Sequence, residues 1–397
     1  MVQRNILRPF FGLVVGILLA PWAQESAHAA TYTVFSGQSI QTKINSASNG
    51  DVIVIFNGFY SENLTVNKSI AIANANGQSF TYAGTLTITN GVKTQFRGFN
   101  LTSGSIELRN ASADFTRCTI QGDVNATVAT MSDGTTPNRL SFTRCTLSAT
   151  LTSSAAETFL AENTLKWLRV ADSGKMWLIG NLVDGGIISN SGQYLVEAQA
   201  NSTLFAFNNI LRRDASSFYG TIGICIRSNA KAEIRNNIFY GLIPNNYGSS
   251  SSTSLIRLDG SAASIGSSNL LFGSGFYFIY GSLSMNTAIY NNSLAGYAGG
   301  IVPQNTLAAD PLAVDTTNFV LGAASPARNA GDPDPRFNDI DGTRNDMGIY
   351  GGPFYDPDGR TGVKPVVLNA ELDNTQFVRG ELSTVKLKAT GAATGSP

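Results

Sequence analysis

Histidine is almost absent: the 397-residue chain has one, His28. It falls in an N-terminal stretch with the anatomy of a secretory signal: a basic start at Arg4 and Arg8, an apolar run over 10–20, and the small-residue pattern Ala27-His28-Ala29. Cleavage before Ala30 or Thr31 would remove that histidine, and with it Ser-His-Asp, Cys-His and His-metal mechanisms near neutral pH. The apolar run is shorter than the ~20 residues of a membrane-crossing helix. No later stretch is apolar enough to span, so a secreted, periplasmic or cell-surface protein is expected, with no transmembrane segment in the mature chain.

Cysteine is scarce as well. Cys118, Cys145 and Cys225 are too few, and odd in number, for a disulfide framework. Charge of either sign is thin. Residues 1–29 carry Arg4, Arg8 and Glu25, so 27 basic and 27 acidic residues become 25 and 26, a net of −1. A chain so nearly neutral has no broad field for nucleic acid or anionic membrane, and no nucleic-acid partner is expected. Long runs of helical periodicity are missing, which argues against a helical solenoid. What is plentiful is Asn, Ser, Thr and Gly, threaded with enough Ile, Leu, Val and Phe to fill a core rather than leave a disordered linker.

A short phrase recurs through that composition, an Asn or Cys followed closely by an apolar residue. Its first members are Asn100, Cys118, Cys145, Asn163, Asn181, Asn209, Asn237, Asn269 and Asn292, at steps of 18, 27, 18, 18, 28, 28, 32 and 23. A floor of 18 with irregular excess suits a closed coil of three short strands whose extra residues bulge only from the bends. The expected fold is all-β: a single-stranded right-handed parallel β-helix of ten to twelve coils between 50 and 325. Asn suits the recurring position because it tolerates a left-handed bend and its amide can bond its equivalent one coil away. Cys118 and Cys145 are expected in the same column as small buried substitutes, a disulfide between coils being the alternative. Alternation puts Ile224, Ile234 and Ile238 inside, with Arg227, Glu233 and Arg235 outside.

Both ends of such a coil need cover. Residues 39–47 place apolar side chains four apart, suiting a short capping helix. Asn49-Gly50-Asp51 then leads into an apolar strand at 52–56, Gly58-Phe59-Tyr60 into another at 64–66, and Lys68-Ser69-Ile70 into a third. This run resembles the opening of the pectin-lyase-like right-handed β-helix superfamily of secreted bacterial proteins. The far end is similar to the segment that commonly closes such helices: Ser325-Pro326-Ala327-Arg328-Asn329-Ala330-Gly331, then Asp339-Ile340-Asp341-Gly342-Thr343-Arg344 and Asp346-Met347-Gly348-Ile349-Tyr350. The implied organisation is a signal over 1–29, a β-helix over 30–352, and a C-terminal extension over 353–397 of partial strands or disordered tail.

The closing segment is rich in aspartate (Asp332, Asp334, Asp339, Asp341, Asp346) and invites calcium; no other cofactor is expected. It lacks the Asp-x-Asp-x-Asp-Gly spacing and terminal Glu of an EF-type loop. A structural turn, with Arg344 paired to neighbouring carboxylates, is expected instead, and no metal site is assigned.

The superfamily that the chain resembles includes pectate and alginate lyases, polygalacturonases and pectinesterases. The hydrolases' Asn-Thr-Asp, Asp-Asp and His-Gly motifs and the esterases' Gly-x-x-Asp-Phe are absent, no full lyase motif is visible, and no catalytic residue is assigned. Counting back twelve from Asn209, Asn237 and Asn269 gives Glu197, Cys225 and Arg257 in one column, and two residues on Gln199, Arg227 and Asp259. The flanking columns, Val196/Ile224/Ile256 and Ala198/Ile226/Leu258, are apolar, so the polar set faces outward. Arg212, Arg213, Asp214, Phe218 and Tyr219 are expected on a nearby bend. Guanidinium groups on successive coils suit a uronate carboxylate, and a solvated ion-pair ladder is the plainer alternative. A second cluster, Phe276, Tyr277, Phe278, Tyr280, Tyr290 and Tyr297, offers either a sugar-stacking platform or end packing. Substrate-binding candidates are therefore Glu197, Arg227, Arg257, Asp259, Arg212 and Tyr219. The expected function is non-catalytic binding or organisation of polysaccharide; the alternative is a polysaccharide lyase, or another carbohydrate-active enzyme, using Arg and carboxylates on the outer face.

Overall fold

The structure, a computed structural model, describes residues 29–76, 78–127, 138–154, 157–171, 173–185, 194–212, 222–242, 254–259, 263–272, 277–280, 307–308, 310–353, 355, 366–372 and 387–392. The expected signal, apart from Ala29, lies outside the described residues, as do Arg213, Asp214, Phe218, Tyr219, Phe276, Tyr290, Asn292 and Tyr297. The strands stack into three parallel sheets of 11, 10 and 11 strands, and within each sheet neighbours are mostly three strands apart in sequence. One coil shows the path: Lys93–Arg97 in the first sheet, Asn100–Ser103 in the second, Ser105–Arg109 in the third, then Ser112–Thr116 in the first again. This is a parallel β-helix. Its core is a single run of buried side chains, from Val34 to Leu258, enclosed by the three sheets. Identical side chains meet at strand spacing: Phe96, Phe115 and Phe142 stack with centroids 4.7 Å apart.

The coil begins one strand earlier than the sequence suggests, because Thr31–Val34 pairs in parallel with Val52–Ile55. The helix Ile40–Ser46 follows, with Ile40 and Ile44 buried. Both its ends are bonded to the coil that comes next. The Glu62 carboxylate accepts from Ser39 Oγ at 2.8 Å and from the Ile40 backbone N–H at 2.6 Å, placing negative charge at the positive end of the helix. At the other end Lys68 Nζ donates to the carbonyls of Ile44, Asn45 and Ala47 at 3.2, 2.6 and 2.5 Å. Lys68→Met keeps the aliphatic stem but orphans these carbonyls. It is expected to lower stability by about 1–2 kcal/mol. Urea unfolding would measure this, and an unchanged midpoint would mean that water satisfies the helix end equally well.

The recurring phrase does make a ladder. Oδ1 of Asn163, Asn181, Asn209, Asn237 and Asn269 each accepts the backbone N–H of the rung before it, at 2.7–2.9 Å. Each Nδ2 in turn donates to a first-sheet carbonyl of the preceding coil, as from Asn209 to Leu178 at 2.7 Å. Cys145 extends the column, its sulfur 3.2 Å from the Cys118 amide nitrogen, and both thiols are free and buried. Two details differ from expectation. The left-handed residue is the one before each rung (Arg117, Arg144, Glu162, Gly180, Asn208, Asn236, Ser268), so Asn serves here for its amide and not for its backbone freedom. Asn100 pairs with Thr119, not Cys118, so the buried Phe99 holds the rung position in that coil. After Asn269 the next described second-sheet strand is Leu307–Ala308, paired through Leu270↔Leu307, and Asn292 lies outside the described residues.

The closing segment does not sit over the end of the coil. It runs along its side. Phe319, Ala327, Met347 and Ile349 bury themselves against Leu182, Ile210, Ile238 and Leu270, which form the outward column of the second sheet. Ile238 is thus buried outside the coil, beneath this clamp, while its neighbour Phe239 enters the core. In earlier coils the same outward column reads Asn100, Thr119, Thr146, Thr164. The change from Thr to Leu and Ile marks where cover begins. Asn208 and Asn236, the outward members of the pairs Asn208-Asn209 and Asn236-Asn237, hold the clamp. Asn208 Nδ2 donates to Asn345 Oδ1 at 2.9 Å and to the Asp346 carbonyl at 2.8 Å, and Asn236 Oδ1 accepts from the Asp332 N–H at 2.7 Å. Gly348, at φ +88°, donates to the Asn236 carbonyl, and a Cβ there would stand 2.8 Å from Ile238. Arg344 donates to the Gly331 carbonyl at 2.6 and 2.8 Å rather than to a carboxylate. Asp339 accepts the N–H groups of Asp346 and Gly352; burial first, and then the nearby Asp346 charge, help push its pKa up to about 6. Further on, Val366–Leu372 and Leu387–Ala392 form an antiparallel pair.

Candidate functional site: the outer face of the third sheet

The third sheet carries the polar row read from the sequence. Glu197 pairs with Cys225 and Cys225 with Arg257, and the flanking Val196, Ile224, Ile256, Ala198, Ile226 and Leu258 are all buried in the core. Arg169, opposite Glu197, belongs to the same row. The sequence reading omitted it, although the same count of twelve back from Asn181 reaches it.

These side chains engage one another in a chain. Arg169 Nε lies 2.8 Å from Glu197 Oε2, Arg227 reaches Glu197 Oε1 at 2.7 Å and Asp259 Oδ2 at 2.7 Å, and Arg257 Nε meets Asp259 Oδ1 at 2.7 Å. Tyr194 adjoins it, with the Arg227 guanidinium 4.9 Å from its ring centroid and Arg257 3.4 Å from its hydroxyl. Glu197 is nearly enclosed, its side chain 6% exposed, whereas that of Arg169 is 47% exposed. Three guanidinium groups thus span two carboxylates, an excess of one positive charge.

The pKa directions follow from that arrangement. Burial disfavours charge on Arg227 and Arg257, but the hydrogen-bonded carboxylates outweigh it and hold both guanidinium groups more firmly protonated. Burial opposes the charge on Asp259 too, and the two arginines overcome it, leaving the carboxyl more acidic than usual. Cys225 is fully buried within the row, and burial pushes its thiol up to about 12, so it stands as a thiol and not a nucleophilic thiolate at neutral pH.

Connector length singles out the same face. In early coils one or two residues link the second sheet to the third, as between Leu165 and Trp167 or Leu147 and Thr150. Then three successive links lengthen: from Asp184 to Tyr194, from Arg212 to Ile222 and from Tyr240 to Ser254. All three leave at one corner and return as the strands that bear Glu197, Cys225 and Arg257. Tyr219 falls in the second of these links, outside the described residues. Arg212 is described and belongs elsewhere. It ends a second-sheet strand, bonds Asp184 at 2.8 Å and donates to the Thr316 carbonyl of the clamp. In the second aromatic cluster, Tyr277–Tyr280 is a third-sheet strand beside Ser254–Leu258.

Among the described residues no group of three or more His, Cys, Asp or Glu is placed to hold a metal ion, and no helix is long and apolar enough to cross a membrane. No known family's sequence pattern matches the chain, and no curated protein matches it.

Proposed function

We propose that the protein is a secreted or cell-surface member of the pectin-lyase-like right-handed β-helix superfamily that binds or organises acidic polysaccharide along its third sheet without cleaving it. The observation that carries this is the Arg169–Glu197–Arg227–Asp259–Arg257 chain, with its excess guanidinium and with Arg169 turned half to solvent. A planar guanidinium matches a uronate carboxylate, and the coil repeats the chance for such contacts every ~4.8 Å. The non-catalytic half of the reading rests on proton affinity. An eliminating base must give up its proton near neutral pH, and Arg227 and Arg257 are shifted the opposite way.

The polysaccharide lyase remains the second reading, favoured by the three lengthened connections that lead into strands of the same face. One experiment separates the two. The protein is mixed with polygalacturonate, alginate and a glycosaminoglycan, with and without calcium, and both binding and newly formed unsaturated uronate ends are measured. Binding without new ends is expected, and Arg227→Ala with Arg257→Ala should weaken it about tenfold or more at low salt. Unsaturated ends would replace this reading with the lyase, and unchanged affinity of the double variant would remove the site.

A further inference from the structure

The outer face of the first sheet holds a second arrangement that neither the repeat nor the resemblance brings forward. Its middle column contains Phe159, Trp177 and Phe205, opposite one another in register. Their rings stack face to face, with centroids 4.5 and 5.2 Å apart and planes within 4° and 16° of parallel. Such separations leave no room for a sugar ring between them. The stack therefore presents ring edges to solvent, and the edge is the positive end of an aromatic quadrupole. Arg139 covers the free face of Phe159, its guanidinium 4.4 Å from the centroid. At the other end Phe205 meets Phe207, and Phe207 meets Phe337 of the clamp.

The adjoining column on the same face reads Lys93, Ser112, Arg139, Glu157, Lys175, Thr203, Lys231 in strict register. Lys93, Arg139, Lys175 and Lys231 are exposed, and among the described residues none of them makes an ion pair. Glu157 is the only carboxylate in the column. The contrast with the third sheet is sharp, since there each carboxylate neutralises an arginine. Here four cations lie in a line beside a stripe of electropositive ring edges, straight along the coil axis, with Asp114 near Lys93 and Arg139 and Glu233 bonded to Arg235 as the carboxylates of the middle column.

We infer that this basic and aromatic stripe is a binding surface for an extended acidic polysaccharide lying parallel to the coil axis. The occupant follows from charge complementarity and from the repeat: a straight row of cations on stacked coils matches a linear polymer bearing carboxylate or sulfate at intervals. The inference rests on the polysaccharide reading above but places the ligand on a different sheet, and the two placements are separable.

Polygalacturonate is the probe, titrated at low salt into the full chain, into Lys175→Glu with Lys231→Glu, and into Arg227→Ala with Arg257→Ala. Neutral dextran and single-stranded DNA are the comparison polymers. Both lysines are exposed, and because Lys175→Glu sets a carboxylate opposite Glu157, far-UV circular dichroism and the Lys175→Ala with Lys231→Ala variant check that a loss of binding is not a loss of fold. Affinity for polygalacturonate is expected to fall at least about tenfold in the lysine variant, the equivalent of about 1.4 kcal/mol, with dextran unbound throughout. Tryptophan emission should change more on binding in the parent than in Trp177→Phe, a substitution that keeps the stack and leaves Trp167, two residues before Arg169 on the same strand, to report on the third sheet. If the arginine variant loses binding and the lysine variant does not, this inference fails while the third-sheet reading stands. The reverse result supports the stripe and removes the third-sheet placement. No binding of polygalacturonate by the parent overturns both, and DNA bound as tightly as polygalacturonate overturns the assignment to polysaccharide.

Discussion

Asn209→Ala is expected to destabilise the coil by about 3–5 kcal/mol, among the largest losses a single substitution here can cause. The side chain is fully buried and makes four bonds. Oδ1 accepts the Asn181 backbone N–H at 2.9 Å and its Nδ2 at 3.1 Å, while Nδ2 donates to the Leu178 carbonyl at 2.7 Å and to Asn237 Oδ1 at 2.9 Å. Removing it strands donors and acceptors on both neighbouring coils, and an unsatisfied buried group costs about 1–3 kcal/mol. Because a solenoid is held by nearest-neighbour interfaces, the defect divides the stack instead of being shared across it. Urea unfolding followed by far-UV circular dichroism would show a lower midpoint, or two transitions. Stability within about 1 kcal/mol of the parent would mean that the ladder fills space and little more.

Glu197→Ala is expected to be nearly as damaging, at about 3 kcal/mol. The carboxylate is enclosed between the guanidinium groups of Arg169 and Arg227, and its loss leaves two cations facing each other, with Asp259 the one carboxylate still engaging Arg227 among the described residues. The other side of the same ion pair behaves differently. Arg169→Ala removes a half-exposed partner, and solvent screening keeps its cost to about 0–1 kcal/mol. The asymmetry between the two substitutions is the test. Equal losses would show that the row is an ordinary surface ion-pair ladder with no enclosed charge at its centre.

Much of this was legible from residue types and counting. The steps of 27, 18, 18, 28, 28 and 32 between rungs from Cys118 to Asn269 reappear unchanged as pairing registers in the second sheet. A count of twelve back from three rungs placed Glu197, Cys225 and Arg257 in one column, because the link, strand and turn between them keep a constant length in those coils. Where two candidates stood side by side, counting was ambiguous. Phe99-Asn100 was misread by one residue because Asn is the usual rung. The Asn-Asn pairs concealed a division of labour, with Asn209 and Asn237 facing inward to the ladder and Asn208 and Asn236 facing outward to the clamp.

The sequence alone determined the parallel β-helix, since a minimum repeat with variable excess leaves few ways to close a chain, and alternation then settles which side chains are interior. It did not determine which outward groups use each other up. Arg227 bridges Glu197 and Asp259, thirty or more residues away in either direction, whereas Lys175 and Lys231, on another sheet, make no ion pair among the described residues. It also left open that the Asp-rich segment lies along the second sheet, and that Phe159, Trp177 and Phe205 meet at all. Stacking converts sequence separations of 18 and 28 into the same few ångströms, so such contacts depend on the summed lengths of every intervening bend. Only the folded coil performs that sum.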